Sequence, residues 1–300
     1  MISKKLAIPL VTELIAQQFP EWAHLEIKPV ESDGMDNRTF RLGEEMLIRL
    51  PSAENYALQV SKEQKWLKIL ALHLSFSIPK PLAMGQPSED YPWNWSIYKW
   101  IEGESANMLS FDDMHLNIIA FQLAQFLNEL HKIDTENGPH AGLHNYWRGD
   151  HVAVYDIETK SAIAQLQDFI DARTVTLIWE KAMSSKWNQD PVWIHGDFTS
   201  GNILIKDEQV AAIIDFGCMG IGDPACDLVI AWTFFKNESR KIFKSNLCFD
   251  QDTWTRAQGW ALWKALVTIT SLKDKTCRKA IEQHEIINEI LNEYNMQNNF

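Results

Sequence analysis

Four cysteines are scattered through the 300 residues, and none stands in a Cys-x-x-Cys pair. That excludes zinc ribbons and thioredoxin-like chemistry, so Cys218, Cys226, Cys248 and Cys277 read as small core residues of a reduced protein. Positive charge is scarce too. Lys and Arg number 28 against 40 Asp and Glu, for a net charge of -12. No general positive field exists to hold nucleic acid or an anionic membrane. No apolar run approaches the roughly 18 residues of a membrane helix. The apolar segment from Leu6 to Val11 is cut off by Thr12 and Glu13, too early for the core of a secretion signal, so a cytoplasmic protein is expected. Val11, Leu14, Ile15 and Phe19 instead share one face of a helix that Pro9 can begin. Internal repeats, low-complexity tracts and a G-x-G-x-x-G loop are absent as well.

Tryptophan, by contrast, is abundant, with 13 copies. Most are expected in the core, with a minority lining a pocket. The first hundred residues read largely as strand. Thr39–Leu42 and Met46–Leu50 flank Gly43-Glu44-Glu45 as a hairpin that Pro51 closes. A helix follows from about Glu54 to Leu74, then a strand from Trp95 to Ile101. Thereafter the pattern turns helical. Leu116, Ile119, Ala120, Leu123, Leu127 and Leu130 keep the spacing of a buried helix face, with a start at Ser110. Further helices are expected around Ala162–Ile170, Trp254–Leu272 and Ile281–Tyr294. A compact strand region, Val192–Asp215, lies among them. The fold class is α+β: a small β-rich lobe over residues 1–102 and a larger, mostly helical lobe over 103–300. A cleft between unequal lobes is a natural ligand site.

The chemistry concentrates in Val192–Gly217. An apolar strand ends at His195 and delivers Asp197 into a polar loop. Asn202 opens a second strand, Lys206–Gln209 turns the chain, and an apolar return strand presents Asp215 before Gly217. A hairpin of this kind places Asn202 and Asp215 at one end of paired strands, with Asp197 converging on them. Hard oxygen ligands without soft ones suit Mg²⁺, which takes substrate phosphates and water as its other ligands. A carboxylate outside the metal shell can take a proton from an attacking hydroxyl. Those are the parts of a phosphoryl-transfer site, which needs positioning and charge neutralisation above all.

The string His195-Gly196-Asp197-x-x-x-x-Asn202, followed by Ile214-Asp215-Phe216-Gly217, resembles the aminoglycoside phosphotransferase branch of the protein-kinase-like fold, to which choline and homoserine kinases are also similar. The resemblance implies that Asp197 is the catalytic base and that Asn202 and Asp215 are Mg²⁺ ligands. His195 braces the loop. Asp227, in Asp223-Pro224-Ala225-Cys226-Asp227-Leu228, ties it in place. ATP or GTP is the implied co-substrate. In the N-terminal lobe, Gly34 lies in the expected phosphate-covering hairpin. Arg49 stands where the wider fold has a phosphate-holding lysine, with Glu63 on the next helix as its partner; Arg forks two donors toward phosphate. Lys99 and Ile101 offer backbone groups to the purine.

Only nine residues separate Gly217 from Asp227, too few for a protein-docking segment, and no Ala-Pro-Glu follows. A small-molecule acceptor is therefore expected, with no obligate protein partner. An excess of acidic residues in mid-chain, including Glu102 and Glu104, reads either as a cleft for a cationic acceptor such as an amino sugar or as solvated helix faces. Asn145–Asp150 reads either as a sugar-stacking string or as a loop anchor. A non-catalytic nucleotide-binding scaffold and an atypical protein kinase are the alternative readings.

Overall fold

The computed structural model describes residues 4–30 and 36–298. Five antiparallel strands open the fold: β1 (Ile27–Pro29), β2 (Asn37–Leu42), β3 (Met46–Pro51), β4 (Pro81–Gly85) and β5 (Trp95–Lys99), in the spatial order β1-β2-β3-β5-β4. Helix α1 (Lys4–Gln18) precedes them, and α2 (Glu54–Leu70) joins β3 to β4. The period-two alternation predicted for the hairpin is present. Phe40, Leu42, Ile48 and Leu50 point inward and form one core with Val11, Leu14, Ile15, Trp95 and Ile97. Pro9 lies inside α1 and not at its start. A proline already has helical φ, but inside a helix it forfeits its own N–H bond and crowds the carbonyl one turn earlier.

Lys99 ends β5. The two-residue β6 (Glu104–Ser105) already pairs with β8 (Ile203–Lys206), which pairs in turn with β9 (Gln209–Ile213). Residues 100–103 thus carry the chain from the first sheet to the β8–β9 hairpin. The β8–β9 turn is Asp207-Glu208, both with positive φ (52° and 62°), the geometry that a two-residue hairpin turn demands. A third sheet pairs β7 (Val192–Ile194) with β10 (Gly220–Gly222).

Helices surround these small sheets: α3 (Asp113–Leu130), α4 (Asp156–Gln165), α5 (Ala172–Ser184), α6 (Ile230–Thr233), α7 (Asn237–Ser245), α8 (Gln251–Ser271) and α9 (Arg278–Asn298). The start of α3 is capped by Asp112, whose carboxylate accepts the His115 N–H at 2.8 Å, and not by Ser110. The expected helix at Ala162–Ile170 is shifted toward the N-terminus. Phe169 and Ile170 fall beyond its end. The large core joins the apolar faces of α3, α5 and α8 to Trp193, Ile203, Ile213 and Phe216 of the strand region. The molecule has the α+β, protein-kinase-like bilobal architecture expected of it. Among the described residues no helix is long and apolar enough to cross a membrane. Of the cysteines only Cys226 is buried. Cys248 is exposed and the other two are intermediate, so the core reading fails for three of them.

Candidate active site

Each of the two central carboxylates precedes a phenylalanine sunk into the core. Phe198 follows Asp197 and Phe216 follows Asp215, and both rings are buried. Phe126 of α3 stacks on Phe198 with centroids 5.6 Å apart and meets Phe216 edge-on at 6.5 Å. These contacts anchor both site loops to the longest-lived part of a fold, its packed core.

His195 and Asp227 brace the loop between them. The Asp227 carboxylate accepts the N–H groups of His195 (2.7 Å) and Gly196 (2.8 Å). Burial pushes the Asp227 carboxyl up to about 6, against the pull of those bonds. His195 Nε2 donates to the Ile214 carbonyl at 2.9 Å, which leaves Nδ1 to accept the Asp197 N–H at 3.3 Å. One imidazole thus ties the Asp197 loop to the segment between β9 and Asp215. Gly196 has φ +83°, and a Cβ there would lie 2.1 Å from the Cys218 carbonyl oxygen, so only glycine fits.

Asn202 and Asp215 meet at one end of the hairpin. Ile214 donates its N–H to the Asn202 carbonyl at 2.8 Å, one step beyond the Ile203–Ile213 pair. Asp215 then takes a left-handed backbone (φ 64°, ψ 64°), which swings its side chain out of the strand line. A non-glycine residue held there stores strain of a kind found at functional sites. The Asn202 amide nitrogen donates to Asp197, to the carbonyl at 2.9 Å and to Oδ2 at 3.1 Å. That fixes the amide so that its oxygen is the end left for a ligand.

Mg²⁺ can be tested against this donor set. Among the described residues no three His, Cys, Asp or Glu side chains gather into a metal cage. The amide oxygen of Asn202 and the carboxylate of Asp215 line one cavity. Two hard oxygen donors with room beside them fit an ion that keeps water and takes phosphate oxygens. The donor set fits.

Arg49 links the two lobes. Its guanidinium donates to Asp215 Oδ1 at 2.7 Å and lies 3.4 Å from Glu63 Oε1. Glu63 Oε2 accepts the Tyr98 hydroxyl at 2.8 Å. The result is a chain, Tyr98–Glu63–Arg49–Asp215, across β5, α2, β3 and the hairpin. Burial opposes the charge on Arg49, but the two carboxylates outweigh it and raise its pKa. Burial raises Glu63 despite Arg49. Lys62, the neighbour of Glu63, fastens the same helix to the other lobe: its ammonium contacts His144 Nδ1 at 2.8 Å and the Met219 carbonyl at 3.0 Å.

Lys99, Trp100 and Ile101 line the cavity of Arg49 and Asp215, about 840 Å³ in volume. The Lys99 and Trp100 N–H groups already serve the Lys80 and Glu45 carbonyls (2.9 and 2.7 Å). Any purine contact here therefore falls to Ile101 or to carbonyls. Gly34 lies outside the described residues.

A second cavity, about 580 Å³, opens on the other side of the Asp197 loop. Asp197 is the residue, among those described, that lines both. Trp260 and Trp263 of α8 line the second one while remaining buried. Lys264, from the same helix, places Nζ 3.2 Å from Asp197 Oδ1. Burial would raise the Asp197 carboxyl, but Lys264 leads the charges that hold it below the usual carboxylate range. The acidic mid-chain residues do not form an acceptor cleft. Glu102 pairs with Arg41, Glu129 binds Ser75, and Glu104 lines the first cavity. The string Asn145–Asp150 is an anchor: Arg148 donates Nε to the Gly196 carbonyl at 3.1 Å, through left-handed Tyr146, Trp147 and Gly149.

A bilobal kinase-like fold with this loop, hairpin and inter-lobe arginine defines a class of phosphotransferases. The family model described as "Phosphotransferase enzyme family" matches residues 26–260, and the chain belongs to that family. It is 29% identical over 189 residues to an aminoglycoside 3'-phosphotransferase of Escherichia coli; the match covers 59% of this chain and 64% of that protein. The solved GDP and kanamycin complex of APH(2")-IIia superposes with a TM-score of 0.73 at 19% identity, over 95% of this chain and 99% of that one. The macrolide 2'-phosphotransferase MphH from Brachybacterium faecium gives 0.60 at 17% identity, over 94% and 98%. At these identities the two structures establish the fold.

Proposed function

We propose that the protein is a cytoplasmic kinase that moves the γ-phosphate of ATP or GTP to a hydroxyl of a small molecule, of the aminoglycoside, amino-alcohol or sugar kind. The observation that carries this reading is the position of Asp197, shared by two cavities that meet at its carboxylate. The larger takes the nucleotide and the smaller the acceptor. As the acceptor oxygen attacks the γ-phosphorus, its proton passes to Asp197, and the bond to the β-phosphate oxygen breaks with its electron pair leaving on the nucleoside diphosphate. Asn202 and Asp215 would hold Mg²⁺, which supplies neutralising charge to the phosphates. Arg49, relayed by Glu63, faces the same phosphates. Backbone groups at Lys99 and Ile101 complete the nucleotide side, with Gly34 as a further nucleotide-binding residue. His195 and Asp227 keep Asp197 aimed.

A small acceptor is favoured by the segment after Gly217. It goes directly into β10 against β7 and into a buried Pro224-Ala225-Cys226 turn, with no loop to seat a polypeptide. The test is nucleoside diphosphate release with Mg-ATP and Mg-GTP across aminoglycosides, macrolides, amino alcohols and sugars. Acceptor-dependent release that Asp197→Asn abolishes is expected. Tight Mg-nucleotide binding without turnover on any acceptor would favour a scaffold instead.

A further inference from the structure

The wall of the acceptor cavity beside Asp197 is rich in hydrogen-bond donors. Arg148 and Lys264 both line it. Arg148 gives Nε to the Gly196 carbonyl and Nη1 to the Tyr155 hydroxyl at 3.4 Å, and lies 4.7 Å from the Trp263 ring centroid. Among the described residues it forms no ion pair. Lys264 has Asp197 as its carboxylate partner. Two more polar atoms of lining residues are buried with no hydrogen-bond partner: Nε1 of Trp260, a residue only 2% exposed, and Oγ1 of Thr233. An indole N–H can only donate. The indole and the hydroxyl thus lack acceptors, and the guanidinium and ammonium bring two positive charges beside the single carboxylate of Asp197.

Besides Asp197, the acidic residues of this cavity are Glu282, Glu285 and Glu289, all from α9. Two of them are offset: Glu289 pairs with Arg240 at 2.8 Å and Glu282 with Arg278 at 3.0 Å. An amino sugar surrounds its hydroxyls with ammonium groups. Beside Asp197 these would face Arg148 and Lys264, and like charges brought together in a part-buried site repel strongly.

We infer that the acceptor carries a carboxylate or comparable anionic oxygen group next to the hydroxyl it presents, received by Arg148 and Lys264, with an apolar face against Trp260 and Trp263. The inference rests on the phosphotransferase reading and, of the acceptors considered there, sets the amino compounds aside for a hydroxy acid such as a sugar acid.

Matched compounds that differ in charge test it: glucuronate against glucosamine, and 3-phenyllactate against phenylalaninol, with kanamycin as the polycation. Nucleoside diphosphate release with Mg-ATP and Mg-GTP is measured for each. The acid of at least one pair should exceed its amine in kcat/KM by about tenfold or more, and kanamycin should be idle. Lys264→Gln should bring the ratio within about threefold without changing the nucleotide KM, and Lys264→Arg should keep the preference. Preference for the amines, turnover of kanamycin, or no preference in either pair overturns the inference. So does a Lys264→Gln variant that slows acid and amine equally, which would confine Lys264 to the transferred phosphoryl group. Thermal stabilisation by Mg-ADP separates the two failures. A protein stabilised by Mg-ADP yet idle with every pair loses the acceptor inference alone. A protein that Mg-ADP does not stabilise loses the nucleotide reading beneath it.

Discussion

The two sides of Asp197 are built on opposite plans. On the nucleotide side the strong charges are matched within the protein: Arg49 stands between Asp215 and Glu63, and Glu63 is closed off by the Tyr98 hydroxyl. On the acceptor side, among the described residues, Arg148 forms no ion pair, and the buried Trp260 indole and Thr233 hydroxyl have no hydrogen-bond partner. A half preorganised in this way pays its ordering cost during folding, and on the proposed function it would hold phosphates with little rearrangement. The other half keeps donors in reserve, so its selectivity depends on a ligand that satisfies them. The difference teaches that the two cavities can be perturbed separately, with Asp197 as the one described residue common to both, and on the proposed function donor and acceptor recognition should separate in the same way.

The largest perturbation should come at that common group. Asp197→Asn removes the proton acceptor while keeping the hydrogen bond from Asn202 possible, and turnover should fall by about 10²–10⁴-fold. Steady-state kinetics on an acceptor found by the release screen checks it. A fall below tenfold would mean that the base lies elsewhere. The next effect tests the matched half. Arg49→Met leaves Glu63 a buried, uncompensated carboxylate, and loss of one member of such a pair costs about 3–5 kcal/mol of stability. Denaturant unfolding should show this, and adding Glu63→Gln should recover part of it. If Arg49→Met were as stable as the wild type, the inter-lobe chain would carry no weight.

The smallest effect lies at the tether beside that chain. Burial lowers the Lys62 pKa to about 8, below the ordinary lysine value of about 10.4 expected when unfolded. Between these values the unfolded chain holds the extra proton, so folding gains as pH rises from about 8 to about 10. The melting temperature of the wild type relative to Lys62→Met should therefore climb over that window and stay flat below it. A difference that is constant with pH would show Lys62 to be fully charged in the folded protein throughout.

The grouping of Asn202, Asp215, Arg49 and Glu63 was legible in the sequence because its parts are local. Asn202 and Asp215 sit at the ends of consecutive apolar strands, so a tight turn alone brings them together. Arg49 and Glu63 are a strand end and the next helix. The acceptor half was not legible in the same way. Lys264 reaches Asp197 from a helix 67 residues further on, and no spacing rule relates them. Its neighbours Trp260 and Trp263 read equally well as core, and they are both core and cavity wall. Arg148 was visible only as part of a polar-aromatic string, since the left-handed turn at Tyr146-Trp147 that aims it has no glycine to announce it. Strand β4 escaped notice because Pro79 and Pro81 mask its β pattern, a disguise that an edge strand tolerates. The acidic mid-chain residues misled in the other direction. Glu102 and Glu129 meet partners outside the acceptor cavity, the usual fate of charge on a helix-rich surface.

The most direct test of the central claim, that Asp215 belongs to the nucleotide half while Asp197 stands at the junction, is the thermal shift produced by Mg-ADP in the wild type, Asp215→Ala and Asp197→Asn. The account predicts a clear Mg²⁺-dependent stabilisation of the wild type and of Asp197→Asn, and none for Asp215→Ala. Stabilisation of Asp215→Ala equal to that of the wild type, or its loss in Asp197→Asn, would contradict it.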